Sequence, residues 1–192
     1  MQRGSIIFSV TVLGACLVLL TRTAELAETR KEVPPPGKIT FIGKNAVATA
    51  NGTFKKWAFT KVEFDPDNPG GAIIELSVDV ASIDTKIKRR DNHLRTEDFF
   101  DVENYPTATL KFYDVKSGKD VDTFVSKLDF KIHGIQKTFS NFRFTVVQRN
   151  PIEVEGKFTF NRLDFKIGDP KTINPMSVKE EIPISFSATL PQ

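Results

Sequence analysis

Four cations that lie close together near the middle of the chain have the strongest potential for ligand chemistry. Lys86, Lys88, Arg89 and Arg90 fall within five residues. Such a cluster could attract a diphosphate or another acidic head group, and Lys88, Arg89 and Arg90 form a candidate head-group rim. The alternative is a solvated helix face, which is the commoner role of a charge run and the favoured interpretation.

Acid–base and metal chemistry find less support. Asp91, His93 and Arg95 lie close in sequence and include the side-chain types of general acid–base catalysis. His93 and His133 are forty residues apart, without an acidic partner at metal-ligand spacing, and Cys16 is the single cysteine. The sequence contains no nucleophile-elbow motif and no phosphate-binding glycine motif. We therefore predict no catalytic residue, no metal ion and no cofactor.

Composition points to a small domain with an apolar interior. The chain has 192 residues, 40% of them hydrophobic and 27% charged, which suits one globular domain. A net charge of +3 is too small for a protein surface that follows nucleic acid phosphates. Phenylalanine supplies 17 residues against one Trp and two Tyr, so the aromatic content is almost wholly apolar.

The N-terminal residues predict export. Residues 1–20 place Arg3 before an apolar run, the order of a signal peptide, and 13–16 read Leu-Gly-Ala-Cys, which resembles a bacterial lipobox with Cys16 as the lipidated residue. The alternatives are an uncleaved signal anchor and, third, a soluble secreted form, and all three export the domain. Fifteen apolar-run residues at ~1.5 Å each span about 22 Å, short of a ~30 Å hydrocarbon core, so the lipoprotein is favoured. Residues 21–37 form a Pro-rich polar linker.

The rest of the chain predicts an all-β fold. From residue 38 onward apolar residues recur at every second position, most clearly over 128–132, 142–146, 152–160 and 182–190. About nine short runs with short connections predict antiparallel neighbours that close into a barrel. The charged stretch 84–105 predicts one short helix.

Turn signals divide these runs. Asn51-Gly52 and His133-Gly134 are two-residue hairpin signals, and 65–71 is a longer loop. Pro183 indicates an edge or a bulge near its end of the last strand.

Several motifs in order resemble one family. The motifs are Ser82-Ile83-Asp84-Thr85, Arg90-Asp91-Asn92-His93-Leu94-Arg95, Asp98-Phe99-Phe100-Asp101, Tyr105-Pro106, Ile132-His133-Gly134-Ile135 with Lys137, and Asn161-Arg162 with Asp164-Phe165. Together they resemble the signature of the YceI-like family across residues 38–192. The resemblance implies an eight-stranded, lipocalin-like antiparallel barrel that holds a polyisoprenoid or similar amphiphilic lipid, in the bacterial cell envelope on the periplasmic side. It also implies that Asp91, His93 and Arg95 form structural hydrogen bonds. Thr138 departs from the pattern, in which Pro follows the lysine matched to Lys137.

Seven phenylalanines on the apolar phase of their strands are predicted to line the lipid-binding lumen: Phe112, Phe130, Phe142, Phe144, Phe158, Phe160 and Phe186. The alternative for each is ordinary packed core.

We therefore expect a non-enzymatic carrier of an isoprenoid or fatty-acid-like lipid, held at the membrane by its N-terminal lipid or anchor; a homodimer is left open. The competing hypothesis is a solidly packed barrel that serves as a stress-response or protein-interaction module. An apolar cavity large enough for several methylenes distinguishes the two.

Overall fold

The computed structural model describes residues 34–168 and 178–191. The predicted signal segment 1–20, Cys16 and most of the linker 21–37 therefore lie outside the described residues. The first strand begins at Gly37, at the predicted end of the linker.

Ten β-strands make up most of the described chain, and they are numbered here in the order in which they occur along it. They are β1 (Gly37–Lys44), β2 (Thr49–Phe54), β3 (Trp57–Glu63), β4 (Ile73–Asp79), β5 (Ile83–Asp84), β6 (Thr107–Ser117), β7 (Thr123–Ile132), β8 (Ile135–Arg149), β9 (Ile152–Asn161) and β10 (Glu181–Thr189). One α-helix, α1 (Lys88–Leu94), lies within the stretch predicted to be helical. Two 3₁₀ turns, Val80–Ser82 and Arg162–Phe165, complete the regular structure.

The strands form one antiparallel sheet in the order β3-β4-β6-β7-β8-β9-β10-β1-β2-β5. Within residues 34–168 and 178–191, the all-β class and one helix are confirmed, but the predicted number of eight strands is wrong, because the sheet has ten. The difference comes from two interruptions. Lys55 and Lys56 alone separate β2 from β3, and the turn Val80–Ser82 separates β4 from β5.

The two interruptions lie against each other, so the sheet curls there. The Lys55 N–H donates to the Ser82 carbonyl at 3.2 Å, and the Asp79 N–H donates to the Lys56 carbonyl at 2.9 Å. β3 is the first strand in the sheet order, and the pair β2-β5 stands at its other end. Since only two residues separate β2 from β3, this corner brings the two ends of the sheet together. The alternation of buried side chains changes phase at this corner, because Phe54 and Trp57 are both buried while Lys55 and Lys56 between them are exposed.

The hairpin predictions had different outcomes. His133 and Gly134, with φ of 52° and 73°, form the predicted turn between β7 and β8. The hairpin predicted at Asn51-Gly52 is wrong, because both residues lie inside β2 and the β1–β2 turn closes at Asn45 and Ala48. Gly52 instead leaves space for the ring of Phe41, its partner across the strands.

Pro183 lies near the start of β10, where the strand pairs with only one neighbour. Pro183 pairs with Thr159 of β9, whereas the ladder between β10 and β1 ends at Ile184, so the missing N–H of proline is tolerated there. The predicted edge is confirmed at this end of the strand. Within the described residues, no helix has the length and apolar character needed to cross a membrane.

Candidate functional site

Two apolar cavities lie inside the curled sheet in the described part of the chain. The first, called the wide cavity, has a volume of about 290 Å³, and the second, the narrow cavity, has about 30 Å³. Pockets for small ligands usually start near ~300 Å³, whereas one water molecule needs roughly 10–15 Å³. The wide cavity is therefore of ligand size, and the narrow cavity holds no more than a few waters.

The seven predicted lumen phenylalanines divide unequally between these cavities. Phe130 and Phe160 line the wide cavity. The other five line the narrow cavity: Phe112, Phe142, Phe144, Phe158 and Phe186. All seven therefore face the interior, as the strand alternation predicted, but most of them do not face the vacant space.

The five rings at the narrow cavity pack against one another. The centroid of Phe142 lies 5.0 Å from that of Phe112, 5.9 Å from Phe186 and 6.0 Å from Phe158. These spacings are those of aromatic pairs in contact. This end of the interior is packed core, while the vacant volume lies at the end that contains Phe130.

The wall of the wide cavity is mostly apolar, with a few polar side chains. Its apolar part includes Phe41, Phe54, Leu94, Phe99 and Phe100. Its polar side chains are Lys44, Asn45, Thr85, Arg90, His93 and Arg162. An apolar wall with few polar groups is typical of a site that takes up a hydrocarbon and fixes one polar end.

A hydrogen-bond network anchors α1 to β5 beside this cavity. The buried carboxylate of Asp91 accepts from the N–H of Thr85 at 2.8 Å and also from its hydroxyl. Arg90 donates from Nε to Thr85 Oγ1 at 2.7 Å and from Nη2 to the Thr85 carbonyl at 2.8 Å. Thr85 thus fixes the side chains of Asp91 and Arg90. The guanidinium of Arg90 is held in the cavity wall by its Nε and Nη2 atoms, and its Nη1 atom takes no part in the bonds to Thr85.

Arg95 and His93 have different roles at the same helix. Arg95 donates to the carbonyls of Ala81 at 2.8 Å and Ile83 at 2.7 Å, which are structural bonds of the kind that the family resemblance implied. The His93 ring instead packs edge-on against Phe99 at 5.0 Å and lines the wide cavity.

The predicted head-group rim is placed only in part at the cavity. Arg90 is half-buried and lines the wide cavity. Lys88 and Arg89 are exposed on α1 and are not among the residues of its wall, so the solvated-face interpretation holds for these two. Lys86 is engaged elsewhere, because its Nζ lies 2.9 Å from Asp84 Oδ2.

Sequence reasoning missed two cations of the wall, the exposed Lys44 and the buried Arg162. The side chain of Arg162 is buried, with 4% exposure, and donates to the carbonyls of Ile167 at 2.7 Å, Val178 at 3.1 Å and Lys179 at 3.3 Å. Burial lowers the pKa of its guanidinium. The Asn161-Arg162 motif was the available signal, but its role depends on backbone carbonyls that the sequence does not bring together.

Metal-binding geometry is not found within residues 34–168 and 178–191, where no three His, Cys, Asp or Glu side chains cluster. His133, the second histidine, uses Nδ1 to contact the Phe165 carbonyl at 2.9 Å and packs on Tyr105. The described buried polar atoms without a partner include Trp57 Nε1 and Ser126 Oγ.

The fold and the cavity define a class: an all-β protein whose antiparallel sheet curls around an apolar interior site. The sequence model described as the YceI-like domain matches residues 34–190. A UPF0312 protein of Photorhabdus laumondii is 30% identical over 192 residues, which cover 92% of this chain and 95% of that protein. The chain therefore belongs to the YceI-like family.

Solved structures show the same fold. BcnA of Burkholderia cenocepacia aligns with a TM-score of 0.74 at 24% identity, covering 81% of this chain and 96% of that one. A domain from Saccharophagus degradans, described as polyisoprenoid-binding and implicated in plant cell wall breakdown, aligns with a TM-score of 0.60 at 14% identity, covering 81% and 94%. At these identities the likeness establishes the fold.

Proposed function

We propose that this protein binds the hydrocarbon tail of an amphiphilic lipid, of polyisoprenoid or fatty-acid type, in the wide cavity and carries or sequesters it without bond chemistry. The single observation that carries the proposal is an apolar cavity of about 290 Å³ inside the sheet. A solidly packed barrel, the competing hypothesis, has no place for such a volume. The polyisoprenoid-binding description of the Saccharophagus neighbour agrees with this choice of ligand class.

The size of the cavity sets the energy available from the tail. An apolar cavity of about 150 Å³ holds one benzene, which has six carbons, so a cavity of about 290 Å³ takes roughly ten carbons. Burial of ten methylenes at ~0.8 kcal/mol each gives about 8 kcal/mol, within the ~4–15 kcal/mol that association costs. The tail alone therefore gives weak binding, and contacts to the head group must supply the rest.

Arg90 is the group in the wall that suits this second role. Its guanidinium carries a permanent positive charge, and Thr85 orients it through two hydrogen bonds. A carboxylate or phosphate head would accept from Nη1 in a charge-assisted hydrogen bond. The proposed ligand is therefore an acidic amphiphile, with its head at Arg90 and its tail among the apolar wall residues.

The envelope location is part of the same proposal. The charge-then-apolar order of residues 1–20 and the lipobox-like sequence ending at Cys16 support export and a lipid anchor on the periplasmic side. Intact-mass measurement of the chain isolated from membranes tests this, because cleavage before Cys16 removes the mass of residues 1–15 and lipidation of the Cys16 thiol adds the mass of the attached lipid.

Mass spectrometry of lipids extracted from the full chain tests the binding function. We expect an acidic lipid at near-stoichiometric amount. Ala50→Phe places a ring in the wall of the wide cavity and should abolish retention of the lipid. Val47→Phe is the matched control, because Val47 is 70% exposed on the same hairpin. Ligand-free protein even after incubation with fatty acids or polyprenyl phosphates would favour the packed-barrel hypothesis.

A further inference from the structure

The two cavities share three wall residues. Ile39 of β1, Leu110 of β6 and Ile184 of β10 line both the wide and the narrow cavity. β10 and β1 are neighbours in the sheet, whereas β6 lies four strands from β10 in the sheet order. These side chains therefore come from different parts of the wall and lie at the boundary between the wide and the narrow cavity, which we call the constriction.

The boundary is built from side chains that do not move aside easily. Ile39, Leu110 and Ile184 are 7%, 9% and 8% exposed, so each is held by its neighbours. Isoleucine is stiff at χ1, and a packed interior resists displacement of a buried side chain. Behind them the rings of Phe112, Phe142 and Phe186 are in mutual contact. A tail that enters the wide cavity meets both the constriction and the ring cluster.

We infer that Ile39, Leu110 and Ile184 set the length of the tail, so that the protein selects single-chain acidic amphiphiles of about ten buried carbons. The inference rests on the proposed function and adds a specificity determinant to it. Longer tails gain nothing from the additional carbons, because those carbons stay outside the wide cavity or displace packed side chains.

The length limit predicts how the affinity for fatty carboxylates depends on the number of carbons in the tail. Each methylene that enters an apolar site is worth ~0.8 kcal/mol, which is about a fourfold change in Kd. For fatty carboxylates of about eight to sixteen carbons, affinity for the wild-type chain should rise about fourfold per methylene and then level off near the capacity of the cavity. Calorimetry on the full chain, held in solution by an amphipathic polymer, measures the series.

Trp57 provides a separate probe of depth. It is the single tryptophan of the chain, and its side chain lines the narrow cavity. A fatty carboxylate with bromine at the tail end quenches Trp57 only where the tail passes the constriction. Leu110→Ala removes a side chain at the boundary between the cavities. In this variant the affinity should level off at tails that are several carbons longer, and the brominated tail should quench the fluorescence of Trp57 strongly. Leu76→Ala is the matched control, because Leu76 pairs with Leu110 across β4 and β6 but lines only the narrow cavity.

The outcomes separate the length limit from the proposed function. Two results together support the inference. The affinity of the wild type levels off with tail length, and the brominated tail quenches Trp57 strongly in Leu110→Ala but weakly in the wild type and in Leu76→Ala. Affinity that climbs through the longest tail, or equal quenching in wild type and Leu110→Ala, overturns the length limit and leaves the lipid-binding function standing. Absence of binding at every length overturns the function itself. If Leu110→Ala fails to fold, the wild-type series decides, and Ile39→Val with Ile184→Val should extend the plateau by about one carbon.

Discussion

The ring of Phe186 lies directly over Gly156, its cross-strand partner between β10 and β9. A Cβ atom at Gly156 would come within 2.6 Å of the Phe186 ring and 3.0 Å of the Phe142 ring. Glycine at this position therefore allows the stacked pair of Phe142 and Phe186, whose planes are 18° apart. The closed end of the interior depends on the absence of one methyl group.

Gly156→Ala is expected to destabilise the fold. The new methyl group forces a ring out of its packed position, and overpacking of this kind costs about 1–3 kcal/mol. The free energy of unfolding from chemical denaturation measures the loss. Gly70→Ala is the control, because its nearest contact would be Asn68 at 3.8 Å and the expected change is within about 0.5 kcal/mol. Equal stability of the two variants would show that the ring pair is not tightly packed.

Much of the fold was predictable from the sequence because the strands alternate cleanly. The inward rows, the helix within 84–105 and the turn at His133-Gly134 follow from local pattern. The corner at Lys55–Lys56 and the position of Gly52 inside β2 did not, because both depend on contacts between distant segments. An Asn-Gly pair favours a turn locally, but here the ring of Phe41 needs the space over Gly52, and packing prevails.

The candidate site was predictable only in part. Alternation identifies which phenylalanines point inward, but it contains no information on whether opposing rings meet. Phe142 meets four of the other predicted lumen rings, whereas Phe130 and Phe160 line the wide cavity. Arg90 is distinguished from Arg89 by the face of α1 on which it lies, and that face is set by Thr85.

Asp91→Ala is expected to loosen α1 and to destabilise the protein. The carboxylate of Asp91 is the acceptor for both the N–H and the hydroxyl of Thr85, and its loss leaves buried donors without a partner. Loss of a hydrogen bond to a charged group costs about 1.5–3 kcal/mol. Hydrogen exchange of the amides of α1 should accelerate. Asp98→Ala, at an exposed position of the following turn, should leave exchange unchanged; a similar response from both variants would contradict a locking role for Asp91.

Arg90→Ala is expected to weaken binding of a fatty carboxylate about tenfold, the effect of one lost charge-assisted hydrogen bond. Arg89→Ala should change affinity less than about twofold, because exposed charges contribute little. Calorimetry at two salt concentrations measures both variants.

Since Arg90 also bonds Thr85, its variant needs a stability control. Arg90→Lys keeps the charge but loses the planar donor pair, and thermal unfolding shows whether the site is still folded. Folded Arg90→Ala with wild-type affinity would remove Arg90 from the proposed head-group site.

The stability of the sheet corner should depend on pH through Asp84. Lys55, at 2.7 Å, and Lys86, at 2.9 Å, both contact Asp84 Oδ2, and these hydrogen bonds hold the pKa of the Asp84 carboxyl well below its ordinary value. A depressed folded pKa stabilises the native state above the unfolded pKa of about 3.9, and this stabilisation is lost as pH falls toward the folded value. Thermal midpoints between about pH 6 and pH 2 should therefore fall less steeply for Asp84→Asn than for the wild type.

The lysine partners provide the controls for this pH dependence. Lys55→Met removes the largest cause of the shift and should also flatten the acid limb of the stability curve. Lys61→Met, which breaks the exposed pair of Lys61 with Glu63 at 3.1 Å, should leave that limb unchanged. If the curves of wild type and Asp84→Asn run parallel across the acid range, the ion pairs at Asp84 do not contribute to holding β5 against the corner.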